Sequence, residues 1–188
     1  MKFIEQKLAG LYLISPEPYE DKRGIFRRHF CQREFSEHHL MVDIKQCNIS
    51  ENTKEFTLRG FHFQSPPFGE NKLISCIRGN IHNIVLDVRP ESNTYLEWQS
   101  FELSEKNRLS LYIPLGCANA FLTKQENTWV LYYHSEFFTP KAECGIKYND
   151  PMFNFDWPAD PTVISDKDAN LPHFNQLYGD LNGANSNS

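Results

Sequence analysis

The sequence predicts an all-β domain, a sandwich or barrel of short strands, on two observations. Between residues 56 and 138, runs rich in Phe, Tyr, Ile, Leu and Val alternate with polar turns, and no long helical period interrupts them. With 188 residues, 40% of them hydrophobic, the chain is sized for one core. Residues 1–178 are therefore expected to form a single domain, and the polar stretch 179–188 a disordered tail.

The elements follow in order. Residues 32–39 form a short helix candidate, with Phe35 and His39 on one side and charges elsewhere, expected to decorate an edge. In Leu58-Arg59-Gly60-Phe61-His62-Phe63-Gln64 the alternation is strict after Gly60, so Phe61 and Phe63 share one face while His62 and Gln64 share the other. Residues 72–77 and 81–88 read as a hairpin around Arg78-Gly79-Asn80, its second strand stopped at Pro90. Residues 97–103 and 109–113 flank the polar turn 104–108, and 128–138 follow the loop 123–127. Such regular spacing predicts the sandwich or barrel. Beyond 138 the chain turns rich in Pro, Asp and Asn, through Asn149-Asp150-Pro151 and Asp156-Trp157-Pro158, and no internal repeat is present.

Charge and composition exclude several classes. A net charge of -5 gives no long-range attraction for a polyanion, so nucleic acid is not an expected partner and any phosphate site must be local. Residues 1–10 alternate charged and apolar side chains without the apolar core of a signal peptide, and no later run is long enough to span a bilayer. The expected location is the cytoplasm, with no membrane partner. Cys31, Cys47, Cys76, Cys117 and Cys144 are odd in number, scattered and free of CxxC spacing, which predicts reduced thiols rather than disulfides or a zinc site.

The chemistry gathers around His62. An imidazole, the Arg59 guanidinium and the Lys72 ammonium on one polar face are expected to line a sheet interior only where something anionic occupies it, and a phosphate-bearing ligand fits. Read singly, each residue has a plainer role. His62 suits a hydrogen-bonded core, Lys72 a surface strand start, Tyr132 the packing of the aromatic run 129–133, Asp168 a solvated loop and Arg23 an exposed turn.

Six segments then carry a resemblance: Asp21-Lys22-Arg23-Gly24-Ile25-Phe26, Leu58-Arg59-Gly60-Phe61-His62-Phe63-Gln64, Lys72-Leu73, Ile113-Pro114-Leu115-Gly116, Tyr148-Asn149-Asp150-Pro151 and Ile164-Ser165-Asp166-Lys167-Asp168. Together they resemble the dTDP-4-dehydrorhamnose 3,5-epimerase family over roughly residues 3–172. The resemblance implies a cupin-type jelly roll with a few short peripheral helices, and an isomerase without cofactor or metal. It would invert C5, C3 or both in a nucleotide-linked 4-keto deoxyhexose, in the making of surface-polysaccharide or O-antigen sugars. Abstraction of a proton beside the ketone leaves an enolate that is reprotonated from the opposite face, so two groups are needed. By resemblance His62 is the base, Asp168 its carboxylate partner, Tyr132 the acid and Lys72 the stabiliser of the enolate oxygen. Arg23 and Arg59 become diphosphate ligands, Gln46 and Asn48 lie near the ligand, and Phe26 lies at the nucleotide end. The family also implies a homodimer whose amino-terminal strands lend residues to the partner's site.

Three positions depart from the family pattern. Asn119, in Gly116-Cys117-Ala118-Asn119-Ala120-Phe121, replaces the usual histidine and cannot carry a proton as imidazole does. Phe138 replaces a usual tyrosine, keeping a stacking face while losing a hydroxyl. Arg28 stands where a glutamate near the base is usual. Thymine, uracil and guanine each offer an N–H to a carboxylate, whereas cytosine offers acceptors at N3 and O2 that an arginine matches, so the sequence points to a CDP-linked 4-keto-3,6-dideoxyhexose inverted at C5.

Three other functions remain open on the residues. A metal-dependent cupin needs clustered His and carboxylate ligands, but the segment reads His62-Phe63-Gln64, with His82 and His134 taken as isolated. A ketoisomerase would use the same acid–base groups, and a sugar-binding jelly roll would keep the pocket without the reaction.

Overall fold

The computed structural model describes residues 1–40 and 43–178; the expected tail at 179–188 lies outside the described residues. Among the described residues the strands are β1 (Lys2–Glu5), β2 (Tyr12–Ser15), β3 (Tyr19–Asp21), β4 (Gly24–Phe26), β5 (Gln46–Asn52), β6 (Leu58–Gln64), β7 (Lys72–Arg78), β8 (Asn80–Asp87), β9 (Trp98–Ser104), β10 (Ser110–Ile113), β11 (Cys117–Thr123), β12 (Thr128–His134) and β13 (Glu143–Gly145). The helices are short: α1 (Gln32–Glu37), α2 (Asp166–Ala169) and α3 (Phe174–Tyr178). Antiparallel pairing builds a six-stranded sheet, β1-β2-β10-β7-β12-β5, and a five-stranded sheet, β13-β6-β11-β8-β9, while β3 and β4 form a separate hairpin. The fold is a jelly-roll sandwich.

Period-two alternation sorts side chains into three apolar clusters. Between the sheets lie Ile74 and Cys76 of β7, Val130 of β12, Ile81 and Val85 of β8, and Phe121 of β11. The opposite faces are covered too. Phe61 and Phe63 of β6, with Ala118, Ala120, Ile84 and Leu86, pack outward against Ile146, Phe153 and Phe174. The segment beyond 138 is thus a lid over the second sheet, pinned where His82 meets Glu102 at 2.9 Å and Asp156 at 3.2 Å. On the first sheet, Phe35 and Leu40 cover Leu73, Ile14 and Tyr112. The predicted opposition of His62 to Phe61 and Phe63 holds, because the phenylalanines face this lid and His62 faces the other sheet.

Boundaries differ from the sequence reading in instructive ways. Helix α1 stops at Glu37, and His39, at φ +56°, is exposed rather than aligned with buried Phe35. The run 128–138 leaves the sheet after His134, because the neighbouring strand β7 begins at Lys72, the residue opposite His134. Phe137 and Phe138 therefore project as exposed loop residues.

Gly60 sets the direction of β6. At φ +105° it occupies a region that L side chains rarely adopt, and a Cβ there would lie 2.5 Å from the Asn119 carbonyl oxygen and 2.8 Å from Ala120 Cα. Gly60→Ala is expected to destabilise the fold by roughly 1–3 kcal/mol, read as a lowered urea midpoint.

A second stability prediction concerns His29, which tilts against the Tyr133 ring at 5.5 Å with Nε2 buried and without a hydrogen-bond partner. Burial, reinforced by the Arg27 charge, lowers its pKa from 6.5 to about 4. The unfolded chain therefore binds the proton more readily. Stability from this site is complete above the unfolded value and is lost as pH falls toward the folded one, by roughly 2 kcal/mol at about pH 5. Urea midpoints of parent and His29→Gln across that range should converge as pH falls.

Candidate active site

Where the inner positions of the two sheets turn polar, they enclose a cavity of about 270 Å³. The same alternation that places Ile74 and Val130 in the core brings Lys72, Tyr132 and His134 into this cavity from the first sheet, and His62, Gln64 and Asn119 from the second. Asn48, Arg59 and Phe138 also line it.

His62 is held from behind. Its Nε2 lies 2.8 Å from Asp168 Oδ1, and Asp168 Oδ2 accepts the Gly60 N–H at 3.1 Å. The Ser165 hydroxyl oxygen caps α2 by accepting the Asp168 N–H at 3.1 Å, so the loop that looked solvated delivers a buried carboxylate. Burial alone would raise the Asp168 pKa, but the His62 contact and the Gly60 N–H outweigh it and hold the group below its ordinary value. A carboxylate there takes Nε2–H and leaves Nδ1 of neutral His62 as the acceptor.

Lys72 is almost wholly buried; its Nζ donates to the His62 carbonyl oxygen and to Asn119 Oδ1, both at 3.0 Å, and lies 3.4 Å from Glu70 Oε1. Desolvation lowers its pKa against the opposing pull of Glu70. Three protein acceptors match three ammonium donors, so Lys72 offers the cavity its charge rather than a spare N–H. Asn119 is thereby a tether for Lys72 as well as the cross-strand partner of His62.

On the facing wall, burial pushes the Tyr132 phenol pKa up despite the nearby Arg59 charge, so the phenol keeps its proton. Its ring stacks on His134 at 5.7 Å and 19°. His134 is not isolated, contrary to the sequence reading: Nδ1 lies 2.7 Å from Glu70 Oε2, a contact made between the end of β12 and the loop before β7. Glu70 is held below its ordinary pKa; burial would raise it, but the His134 and Lys72 contacts outweigh the burial. Glu70, His134 and Glu143 are cavity residues that sequence reasoning missed. His134 was recoverable, being two positions after Tyr132 on a predicted strand and so on the same face.

Other expected ligands are placed differently. Arg59 sits at the cavity edge with Nε donating to Asn52 Oδ1 at 2.8 Å. Gln46 does not line the cavity; its Oε1 accepts the Phe138 N–H and so positions that ring. Arg23, Phe26 and Arg28 do not reach the chain's own cavity, because they belong to the β3–β4 hairpin and the residues after it. Arg23 pairs with Asp21 at 2.6 Å, Arg28 with Glu34 at 2.7 Å, and Phe26 is 77% exposed. Phe26 and Arg28 instead border a separate pocket with Met1, Glu17, Tyr19 and Glu34.

No group of three or more His, Cys, Asp or Glu side chains among the described residues is arranged to hold a metal ion, and none of their helices is long and apolar enough to cross a membrane. An imidazole–carboxylate pair and a protonated phenol thus line one cavity of a cupin-type jelly roll, groups able to accept and donate protons. The family model for dTDP-4-dehydrorhamnose 3,5-epimerase matches residues 5–176, and the chain belongs to that family. A dTDP-4-dehydrorhamnose 3,5-epimerase from Methanothermobacter thermautotrophicus is 38% identical over 172 residues, covering 90% of this chain and 92% of its own. The crystal structure of the Legionella pneumophila dTDP-6-deoxy-D-glucose-3,5-epimerase in complex with dTDP-4-keto-L-rhamnose is 30% identical, with a TM-score of 0.88 and 94% of each chain covered. The Bacillus anthracis dTDP-4-dehydrorhamnose 3,5-epimerase with TDP and PPi bound is 31% identical, with a TM-score of 0.89 and coverage of 92% of this chain and 98% of its own.

Proposed function

We propose that the chain inverts a carbon beside the C4 ketone of a nucleotide-linked deoxyhexose, with His62 as base and Tyr132 as acid. The observation that carries this reading is that the two side chains line one cavity from opposite sheets. His62 Nδ1 removes the proton from C3 or C5, the electron pair moves onto the C4 oxygen as an enolate, and Tyr132 returns a proton to the other face. The Lys72 charge stabilises the enolate. Asp168 fixes the tautomer and supports the imidazolium that forms. The step is redox-neutral proton transfer and needs no cofactor.

Arg59 serves the diphosphate at the cavity edge. The cavity of about 270 Å³ is at the lower limit of small-molecule pockets, so the sugar enters it and the nucleotide extends beyond. Arg23, Phe26 and Arg28 then act on the nucleotide from a second copy in a homodimer, a reading supported by their exposure and their absence from the lining of the chain's own cavity. The enzyme works in the cytoplasm, where nucleotide-linked sugars are made for surface polysaccharides.

Arg28 favours a CDP sugar inverted at C5, since its guanidinium, which lines one surface pocket with Phe26 and gives Glu34 only one N–H, has further donors for cytosine N3 and O2. The test is to incubate CDP-, dTDP- and GDP-linked 4-keto deoxyhexoses with the protein in heavy water and locate deuterium by NMR. Fastest incorporation with the CDP sugar, at C5, is expected. A marked dTDP preference removes the cytosine reading and leaves the epimerase reading intact, whereas exchange with none of the three contradicts both.

A further inference from the structure

The cavity holds a second imidazole–carboxylate pair that the reaction above does not use. We propose that His134, clamped by Glu70, is a proton relay that restores the Tyr132 phenol after each turnover; the proposal rests on the roles assigned to His62 and Tyr132.

Inversion leaves the protein in an altered state. The carbon's original proton sits on His62, and Tyr132, having given its own, is a phenolate. The next turnover requires both to be reversed. His62 has a route to solvent, because its side chain is 32% exposed. Burial keeps the Tyr132 phenol protonated, and that same burial makes the phenolate unfavourable and its reprotonation a step that needs a nearby donor.

His134 is placed to be that donor. It follows Tyr132 by two residues on β12, so both point into the cavity, with rings 5.7 Å apart and within 19° of parallel. Its Nδ1 is committed to Glu70 at 2.7 Å, which leaves Nε2 as the nitrogen that takes up and releases protons. Nε2 has no protein hydrogen-bond partner among the described residues, and the side chain is 16% exposed. Glu70, 9% exposed, supports the imidazolium as Asp168 supports that of His62.

The step balances. The Nε2–H bond of the His134 imidazolium breaks and the proton passes through one bridging water to the Tyr132 oxygen; neutral His134 then takes a proton from solvent while His62 releases one. Asn119, which replaces a histidine elsewhere in the cavity, cannot carry a proton, and His134 supplies a titratable group at a new position.

His134→Gln tests the relay, since the amide can still donate to Glu70 but cannot carry a proton. The probe is whichever 4-keto sugar nucleotide the parent exchanges fastest, followed in heavy water. The expected result is an unchanged first turnover, measured with enzyme in excess, and a steady-state rate reduced roughly 10²-fold. Added imidazole should raise that rate in proportion to its concentration. A parental steady-state rate in His134→Gln overturns the relay, as does an equal loss of first and later turnovers without response to imidazole. Absence of exchange by the parent would instead overturn the catalytic roles on which the relay rests.

Discussion

His62→Ala is expected to reduce deuterium exchange at every sugar position by about 10²–10⁴-fold while leaving nucleotide affinity nearly unchanged. The imidazole is the one group with an unprotonated nitrogen presented to the cavity from the second sheet, because Asp168 occupies its other nitrogen at 2.8 Å. Its neighbours Lys72 and Asn119 cannot replace it. Lys72 has its ammonium donors engaged by His62, Asn119 and Glu70, and Asn119 cannot accept and carry a proton. Affinity survives because the diphosphate contact assigned to Arg59 does not depend on His62. The substitution leaves Asp168 buried beside a gap, so a modest loss of stability accompanies it. Isotope exchange by NMR and nucleoside diphosphate binding by calorimetry separate the two effects.

Tyr132→Phe is expected to uncouple exchange from inversion. The ring and its stacking on His134 remain, and only the hydroxyl is lost. His62 can still remove and return a proton on its own face, so deuterium enters the substrate with retained configuration while the inverted product falls roughly 10²-fold. Chromatographic separation of the two epimers alongside deuterium content gives both rates from one sample. If the variant inverts as fast as the parent, the phenol is not the acid.

The features that were legible in the sequence are those that period-two alternation encodes. Phe61, His62 and Phe63 declare two faces of one strand, and both faces proved real because each meets a different layer of the protein. Strand β5 was illegible for the same reason that it matters: its run Gln-Cys-Asn-Ile-Ser-Glu-Asn is polar, as an edge strand with residues in a wet cavity must be. Strand β11 hid behind Ala118, Asn119 and Ala120, small residues of low strand propensity that are fully packed by the lid and the cavity. The hairpin β3–β4 is exposed at nearly every position and has no core face to produce a pattern.

The site divides in the same manner. His62, Lys72, Tyr132, Asn119 and Arg59 lie on strands; the first four converge by regular register, and Arg59, three positions before His62, joins them because the β6–β11 pairing shifts between the two. Asp168 and Glu70 lie just outside strands, where no periodicity speaks for them, and only the tertiary path of 146–168 and of the loop before β7 brings each carboxylate to its histidine. Arg23, Phe26 and Arg28 were named by resemblance, and the single chain leaves them on its surface.

A crystal structure with a nucleoside diphosphate sugar bound would examine the acid–base assignment without the intermediary of rates. The account predicts the carbon next to the ketone lying between His62 Nδ1 and the Tyr132 hydroxyl, one on each face of the ring and each within about 3.5 Å. A sugar held with both side chains on the same face, or seated away from the cavity between the sheets, would contradict it.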